Sequence, residues 1–313
     1  MKKRDFLTLT DLSEAELDRL LRDAATCKRA VHGRALAGKT LALMFQKPSM
    51  RTRVAFEVAM LQLGGSVVSL GQEDVRLGQR EPVKDMARAL SRYVDAVVVR
   101  TFAHADAEEF AAHATVPVIN GLSDFVHPCQ ALADVFTLQE RFGRVKGLRL
   151  AYVGDGNNVL HSLLEGCAML GIHVAVSTPP AYRPDPKMWA SVLESAKRHD
   201  ASLQWTKDPR EAVSSADVVY TDVWVSMGQE RERAKRVNVF RPYQVNRALL
   251  AHAKRSCSIM HCLPAHRGEE ITDEVMEHAR SLIFDQAENR LHVQKALLLM
   301  LLTRRTKECT LQG

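Results

Sequence analysis

The chain has 313 residues, 46% of them hydrophobic and 26% charged, with 43 basic against 37 acidic side chains, a net charge of +6 and a pI near 9.0. That length and composition fit two domains with sizeable cores and exclude a disordered or fibrous chain. No dense Lys/Arg block with interleaved aromatics accompanies the positive excess, so no nucleic-acid partner is expected, and the longest pure apolar run, residues 296–302, falls well short of the roughly 20 needed to span a bilayer.

Cys27, Cys129, Cys167, Cys257, Cys262 and Cys309 form no C-x-x-C pair, which fits a reducing cytoplasm. Polar and acidic residues follow Met1-Lys2-Lys3-Arg4 where a signal peptide needs an apolar core, so export is not expected. Ser13-Glu14-Ala15-Glu16 is a capping box, opening a helix with Leu17, Leu20 and Leu21 on one face. Residues 40–45 (TLALMF) read as a buried strand, and Val54, Val58 and Leu61 recur at helical spacing until Gly64-Gly65. Between them lies Lys47-Pro48-Ser49-Met50-Arg51-Thr52-Arg53. A strand, a polar turn and a helix start make an anion site: the unpaired N–H groups of the first turn favour phosphate or carboxylate, and Arg51 and Arg53 add charge-assisted bonds. A basic, solvated turn is the plain alternative.

Strands follow at 66–70 and 96–100, separated by a polar loop over 73–81 and a helix from 82 to 93. Arg100 and His104, in RTFAH, come at a strand's carboxyl end, where open α/β sheets bind ligands. A short strand at 116–119 precedes a helix over 128–142, with Pro128 suited to its first position and Leu132, Val135 and Phe136 on its apolar face. His127 and Gln130 share the start of that helix and can point at one ligand, although a lone His there also serves as a cap.

Near Gly147 the pattern restarts, with a strand over 148–153, the turn Gly154-Asp155-Gly156-Asn157-Asn158 and a helix over 159–170. The domains are therefore read as 1–146 and 147–313. The dinucleotide fingerprint needs a third glycine where Val159 stands, so no nicotinamide cofactor is expected. Further strands are read at 172–177, 217–220, 258–260 and 281–284. Asp222-Val223-Trp224-Val225-Ser226-Met227-Gly228 follows one strand, and His261-Cys262-Leu263-Pro264 another. The sign-alternating run Arg231-Glu232-Arg233-Ala234-Lys235-Arg236 reads as a solvated helix face. A zinc site from His127, Cys129, His261, Cys262 and His266 fails on spacing, so no metal is expected, and Cys262 can be a core thiol. Glu288-Asn289-Arg290 opens the last helix, 288–303, expected to pack back on the first domain. The fold class is α/β: two doubly wound parallel-sheet domains joined by interdomain helices.

Seven motifs in order, SMRTR, RTFAH, HPCQ, GDGNN, DVWVSMG, HCLP and AENR, resemble ornithine carbamoyltransferases over nearly the whole chain, from about residue 5 to 302. The resemblance implies a carbamoyl-phosphate domain followed by an ornithine domain, and an assembly of one or more homotrimers with active sites between protomers. It implies no cofactor. It assigns Ser49, Met50, Arg51 and Thr52 to the phosphate, and Arg100, His127 and Gln130 to the carbamoyl end. Arg290 reaches carbamoyl phosphate from the final helix, and Cys262 and Leu263 sit where the amine meets the carbamoyl carbon. For L-ornithine it gives Asn158 and the Met227 backbone to the α-carboxylate, and Asp222 and Ser226 to the α-ammonium.

Acyl transfer to an amine passes through a tetrahedral intermediate with negative charge on the carbonyl oxygen, for which Thr52, Arg100 and His127 are the expected donors. The amine, with an unperturbed pKa near 10.4, attacks only when neutral, so Cys262 with Asp222 is the expected proton-handling pair. The expected catalytic set is Arg51, Arg100, His127, Asp222 and Cys262.

Two positions depart from the family pattern. Met50 stands where many relatives have Thr, and the loop over 74–81, DVRLGQRE, has Arg76 where a Gln is usual and Arg80 where a Gly is usual. Arg76 either contacts a neighbouring protomer's carbamoyl phosphate or is an exposed arginine. Charge matching at Asp222 favours ornithine over acetylornithine, which has no free α-ammonium, and over aspartate, which has no side-chain amine; putrescine lacks the carboxylate that Asn158 would serve. A non-catalytic relative would have lost phosphate-site residues, which this chain retains.

Overall fold

The computed structural model describes residues 3–30, 33–71 and 81–303, in two compact units: Met1–Phe136 with Glu288–Gly313, and Thr137–Ala287. Arg76 and residues 72–80 of its loop lie outside the described residues.

The first unit contains β1 (Thr40–Phe45), β2 (Ser66–Leu70), β3 (Ala96–Arg100) and β4 (Val118–Leu122), all parallel in the order β2-β1-β3-β4. Its helices are α1 (Glu14–Arg29), α2 (Met50–Gln62), α3 (Val83–Leu90), α4 (His104–His113) and α5 (Pro128–Phe142), the last continuing into the second unit. Ala42, Met44, Val97 and Val99 pack with Ala87 of α3 and Phe110 of α4, and all six are fully buried. Strands covered on both faces need this unbroken apolar character. The capping box of α1 forms as read, the Ser13 N–H donating to Glu16 Oε2 at 3.0 Å.

The buried face of α2 is not the one read from its pattern. Ala55, Phe56, Ala59 and Met60 face the core, whereas Val54 and Leu61 are 50% and 67% exposed. The helix carries two apolar stripes, and the one that pairs large Phe56 and Met60 with small Ala55 and Ala59 is the one buried. β4 begins two positions later than read, after Pro117, which has no N–H to give a ladder.

The second unit contains β5 (Arg149–Val153), β6 (His173–Ser177), β7 (Leu203–Thr206), β8 (Val218–Thr221) and β9 (Ser258–His261), parallel in the order β7-β6-β5-β8-β9. α6 (Asn158–Met169), α7 (Pro186–Arg198), α8 (Pro209–Val213), α9 (Arg233–Phe240), α10 (Arg247–Leu250) and α11 (Asp273–Met276) connect them. The edge strand β7, absent from the sequence reading, is a short segment with no fully buried residue.

α12 (Ile283–Leu302) closes the chain. It starts earlier than read, and the strand read over 281–284 is only a single bridge between Ile259 and Ser281. Ile283, Gln286, Arg290, Val293 and Leu297 are all buried at helical spacing, and the polar members hid the period. From Glu288 onward α12 belongs to the first unit. There the buried Lys295 Nζ donates to the Cys27 and Ala30 carbonyls at 3.2 and 3.1 Å, satisfying the end of α1 with a cation. Among the described residues no helix is long and apolar enough to cross a membrane.

Both sheets have a switch point. β1 lies between β2 and β3, and β5 lies between β6 and β8, so the loops leaving β1 and β3, and those leaving β5 and β8, diverge to open a crevice at the strands' carboxyl ends. Those loops lead to residues 49–52 and carry Asp222, Ser226 and Met227, with Asn158 where α6 begins; His127 and Gln130 follow β4, and Cys262 and Leu263 follow β9.

Candidate active site

In the first unit, Ser49 is the extended N-cap of α2 and makes no side-chain capping bond, leaving first-turn N–H groups for an external acceptor. Arg51 is half-buried and Thr52 fully buried; the Thr52 hydroxyl accepts from the Arg290 guanidinium. Arg100 ends β3 opposite Phe45, and its carbonyl accepts from Gln46 N–H at 2.9 Å. Arg100, His127 and Arg290 are each 5% exposed or less.

The local field is strongly positive. Burial, then Arg290 and Arg100, hold the His127 imidazole well below its usual 6.5, so it is neutral at pH 7. Burial and Arg100 also lower Lys47, whose ammonium lies 4.5 Å from the Phe102 ring centroid. Lys47 is a cation of this site that the sequence reading passed over, although it opens the same polar turn. Gln130 donates from Nε2 to Asp134 Oδ1 at 2.9 Å, while its buried Oε1 has no hydrogen-bond partner among the described residues. A carboxamide oxygen in that state suits an N–H donor such as a carbamoyl group. Arg53 does not join the set: it is exposed and paired with Glu57 at 2.9 Å, one helical turn on. His104 is likewise occupied, its Nδ1 2.9 Å from Ser123 Oγ.

In the second unit, the turn after β5 and the loop after β8 are tied together. Asn157 caps α6 by accepting from the Val159 and Leu160 N–H groups, both at 3.1 Å, a cap that contributes about 1 kcal/mol. Its Nδ2 donates to Asp222 Oδ2 at 2.7 Å, and Asp222 Oδ1 accepts from the Cys262 thiol at 2.9 Å. Asp222 is 3% exposed. Asn157 was missed as a functional residue; its signal was its place beside Asn158 in the helix-starting turn. Gly156 admits no side chain, because a Cβ would collide with the backbone of Tyr182, Arg183 and Pro184. This glycine serves the chain's own packing rather than a pyrophosphate.

Asn158 is the first residue of α6 and half-buried. Ser226 is half-buried and Met227 46% exposed, farther out on the loop. Leu263 has a left-handed φ of 59°, unusual for a branched residue. Its N–H donates to His261 Nδ1 at 2.9 Å, and His261 Nε2 lies 3.1 Å from the fully buried Glu270 Oε1. Asp222, His261 and Cys262 bring ligand atoms within 4.8 Å of one another, as do His266, Glu269 and Glu270. In the first cluster a metal would have to displace the hydrogen bonds just described.

The run read as a solvated helix face needs correction at Arg236. It is 3% exposed and paired with the buried Asp155 of the turn after β5. Burial and the nearby Asp222 push the Asp155 carboxyl up, to about 7, against the opposing pull of Arg236.

Residues 4–140 match the family described as aspartate/ornithine carbamoyltransferase, carbamoyl-P binding domain, and residues 146–301 match its Asp/Orn binding domain. The chain is 54% identical to an ornithine carbamoyltransferase of Gloeobacter violaceus, covering 95% of each chain. It is 52% identical to an anabolic ornithine carbamoyltransferase of Pyrococcus furiosus, covering 96% of each. A solved structure of ornithine carbamoyltransferase from Pyrococcus furiosus superposes with a TM-score of 0.94 at 51% identity, covering 96% of this chain and 97% of that one. The chain belongs to the aspartate/ornithine carbamoyltransferase family.

Proposed function

We propose that the chain is an ornithine carbamoyltransferase, transferring the carbamoyl group of carbamoyl phosphate to the side-chain amine of L-ornithine and producing L-citrulline and phosphate. The observation that carries this reading is the buried Asp222 carboxylate, bonded to Cys262 and Asn157 in the unit that matches an Asp/Orn binding domain. A carboxylate there suits an amino acid whose α-ammonium is free and whose second amine must lose a proton.

The first unit holds carbamoyl phosphate. Ser49, Met50, Arg51 and Thr52 take the phosphate, and Arg290 adds charge while hydrogen-bonded to Thr52. Neutral His127, with Arg100 and Thr52, donates to the carbonyl oxygen as the carbon becomes tetrahedral; a neutral imidazole N–H stabilises that oxygen without giving up a needed proton. Gln130 Oε1 accepts from the carbamoyl N–H.

In the second unit Asn158 and the Met227 backbone take the α-carboxylate, and Asp222 and Ser226 take the α-ammonium. The neutral side-chain amine forms a C–N bond to the carbamoyl carbon, the tetrahedral adduct expels phosphate, and the amine proton leaves by way of Cys262 and Asp222. Leu263, strained at φ 59°, holds the backbone beside Cys262 in place. No cofactor or metal enters these steps. We further propose a cytoplasmic homotrimer or multiple of trimers, supported by exposed apolar Val54, Leu61 and Val68 on the first unit, a surface that another copy would cover.

The test follows the bond that forms. Carbamoyl phosphate labelled with 13C is combined with ornithine labelled with 15N at the side-chain nitrogen, and the product is examined by NMR. One-bond carbon–nitrogen coupling at that nitrogen is the predicted result. Label transferred to the α-nitrogen, or no coupled product, contradicts the reading.

A further inference from the structure

Arg236 joins the two loops that carry the amino-acid contacts. Its Nε donates to the Trp224 carbonyl at 2.5 Å, within the loop that begins at Asp222, and a terminal nitrogen pairs with the Asp155 carboxylate in the turn that ends at Asn158. Aromatic rings enclose the guanidinium, with the Tyr182 and Phe240 centroids at 4.6 and 5.3 Å. Trp224 is itself buried and stacked on Phe240 at 6.0 Å between centroids, so the point Arg236 grips is fixed from its other side as well. A planar fork serves a carbonyl and a carboxylate in fixed directions while lying flat on aromatic faces; a lysine ammonium is a compact point charge without that fixed geometry.

We infer that Arg236 is a positioning residue for the amino-acid substrate: it fastens the root of the 222–228 loop to the 154–158 turn, so that Asp222, Ser226 and Met227 on one and Asn158 on the other meet the substrate as a preformed set. The identity of the amino acid rests on the ornithine reading above; the fastening does not. Its bonds to Trp224 and Asp155 lie on the two loops that carry the amino-acid contacts, so its loss acts on amino-acid binding. Asp155, whose carboxyl is already raised by burial, takes up a proton when the guanidinium is removed, which spares the fold an uncompensated buried charge.

The experiment compares the full-length wild type with Arg236→Gln, Arg236→Lys and the control Arg233→Gln, an exposed position on the same helix paired with Glu269. Arg236→Gln is expected to raise the ornithine KM on the order of tenfold or more, as losing hydrogen bonds to a charged group does, while the carbamoyl phosphate KM stays within about twofold. Arg236→Lys keeps a cation beside Asp155 and falls between, and Arg233→Gln matches the wild type. Hydrogen exchange at residues 223–228 is expected to quicken in Arg236→Gln, and to a smaller extent in Arg236→Lys, with the β5 amides unchanged.

An unchanged ornithine KM in folded Arg236→Gln, or equal losses for both substrates, overturns the inference. If Arg236→Gln does not fold, Arg236→Lys decides by the same criteria. If the wild type makes no citrulline, the ornithine reading fails by itself, and unchanged exchange at 223–228 in the variants still overturns the role given to Arg236.

Discussion

Asp222 stands between Asn157 and Cys262, its two oxygens accepting from the Asn157 amide at 2.7 Å and from the Cys262 thiol at 2.9 Å. The amide fixes the carboxylate's orientation and the thiol connects it to the expected reaction centre. Asp222→Asn removes the anion and the proton acceptor together, so kcat/KM for ornithine is expected to fall by about 10²- to 10⁴-fold, the range for loss of acid–base chemistry. Cys262→Ser keeps a donor to Asp222 and is expected to lose less. Steady-state rates with carbamoyl phosphate saturating make the comparison, and equal losses in the two variants contradict it.

Because the amine reacts only without its proton, kcat/KM for ornithine is expected to climb with pH, by up to about tenfold per unit between about pH 7 and 9. The measurement is a pH profile under conditions where chemistry limits the rate. A flat profile over that range removes the proton-transfer role given to Cys262 and Asp222.

His127 links the site to stability. Burial beside Arg290 and Arg100 holds its native pKa well below 6.5, whereas the unfolded chain titrates near that value. Below about pH 6.5 the unfolded state therefore binds more protons, and stability falls with falling pH by up to about 1.4 kcal/mol per unit; above it the contribution is complete. His127→Asn cannot titrate and is expected to flatten that limb in urea unfolding measured from about pH 5 to 7. Parallel curves for the two proteins contradict the assignment.

On α2, two neighbouring residues should behave differently. Thr52→Val deletes the hydroxyl that accepts from Arg290 and would meet the substrate, so carbamoyl phosphate affinity is expected to weaken by roughly tenfold or more. Arg53→Ala breaks only an exposed pair with Glu57 and is expected to change stability by under about 0.5 kcal/mol and leave that affinity unchanged. Calorimetric titration with a slowly hydrolysed carbamoyl phosphate analogue tests both. A large loss in Arg53→Ala would return that side chain to the phosphate site.

Local signals in the sequence were read where one rule dominated. The Ser13 capping box, the strand at Thr40–Phe45 and the glycine-rich turn before α6 each follow from neighbouring residues alone. Legibility failed where tertiary packing chose between options. On α2, two apolar stripes compete, and only the sheet beneath selects Phe56 and Met60 over Val54 and Leu61. The first turn of α12, before Glu288, escaped notice because Gln286 is polar yet buried. Arg236 sits in a run whose alternating charge resembles a solvated face, and its partner Asp155 is remote in sequence. Most candidate site residues were named through motif resemblance; spacing alone left the anion turn and His127 open to plainer readings.

The measurement that tests the central claim most directly is carbamoyl transfer by the purified full-length chain to ornithine, acetylornithine, putrescine and aspartate, run side by side with the matching product assay for each. Ornithine is predicted to be preferred by on the order of a hundredfold or more, since each rival leaves a buried charged or polar group unmatched. Preference for another amine would contradict the charge-matched set of Asp222, Ser226 and Asn158, and no product from any would contradict the transferase reading itself.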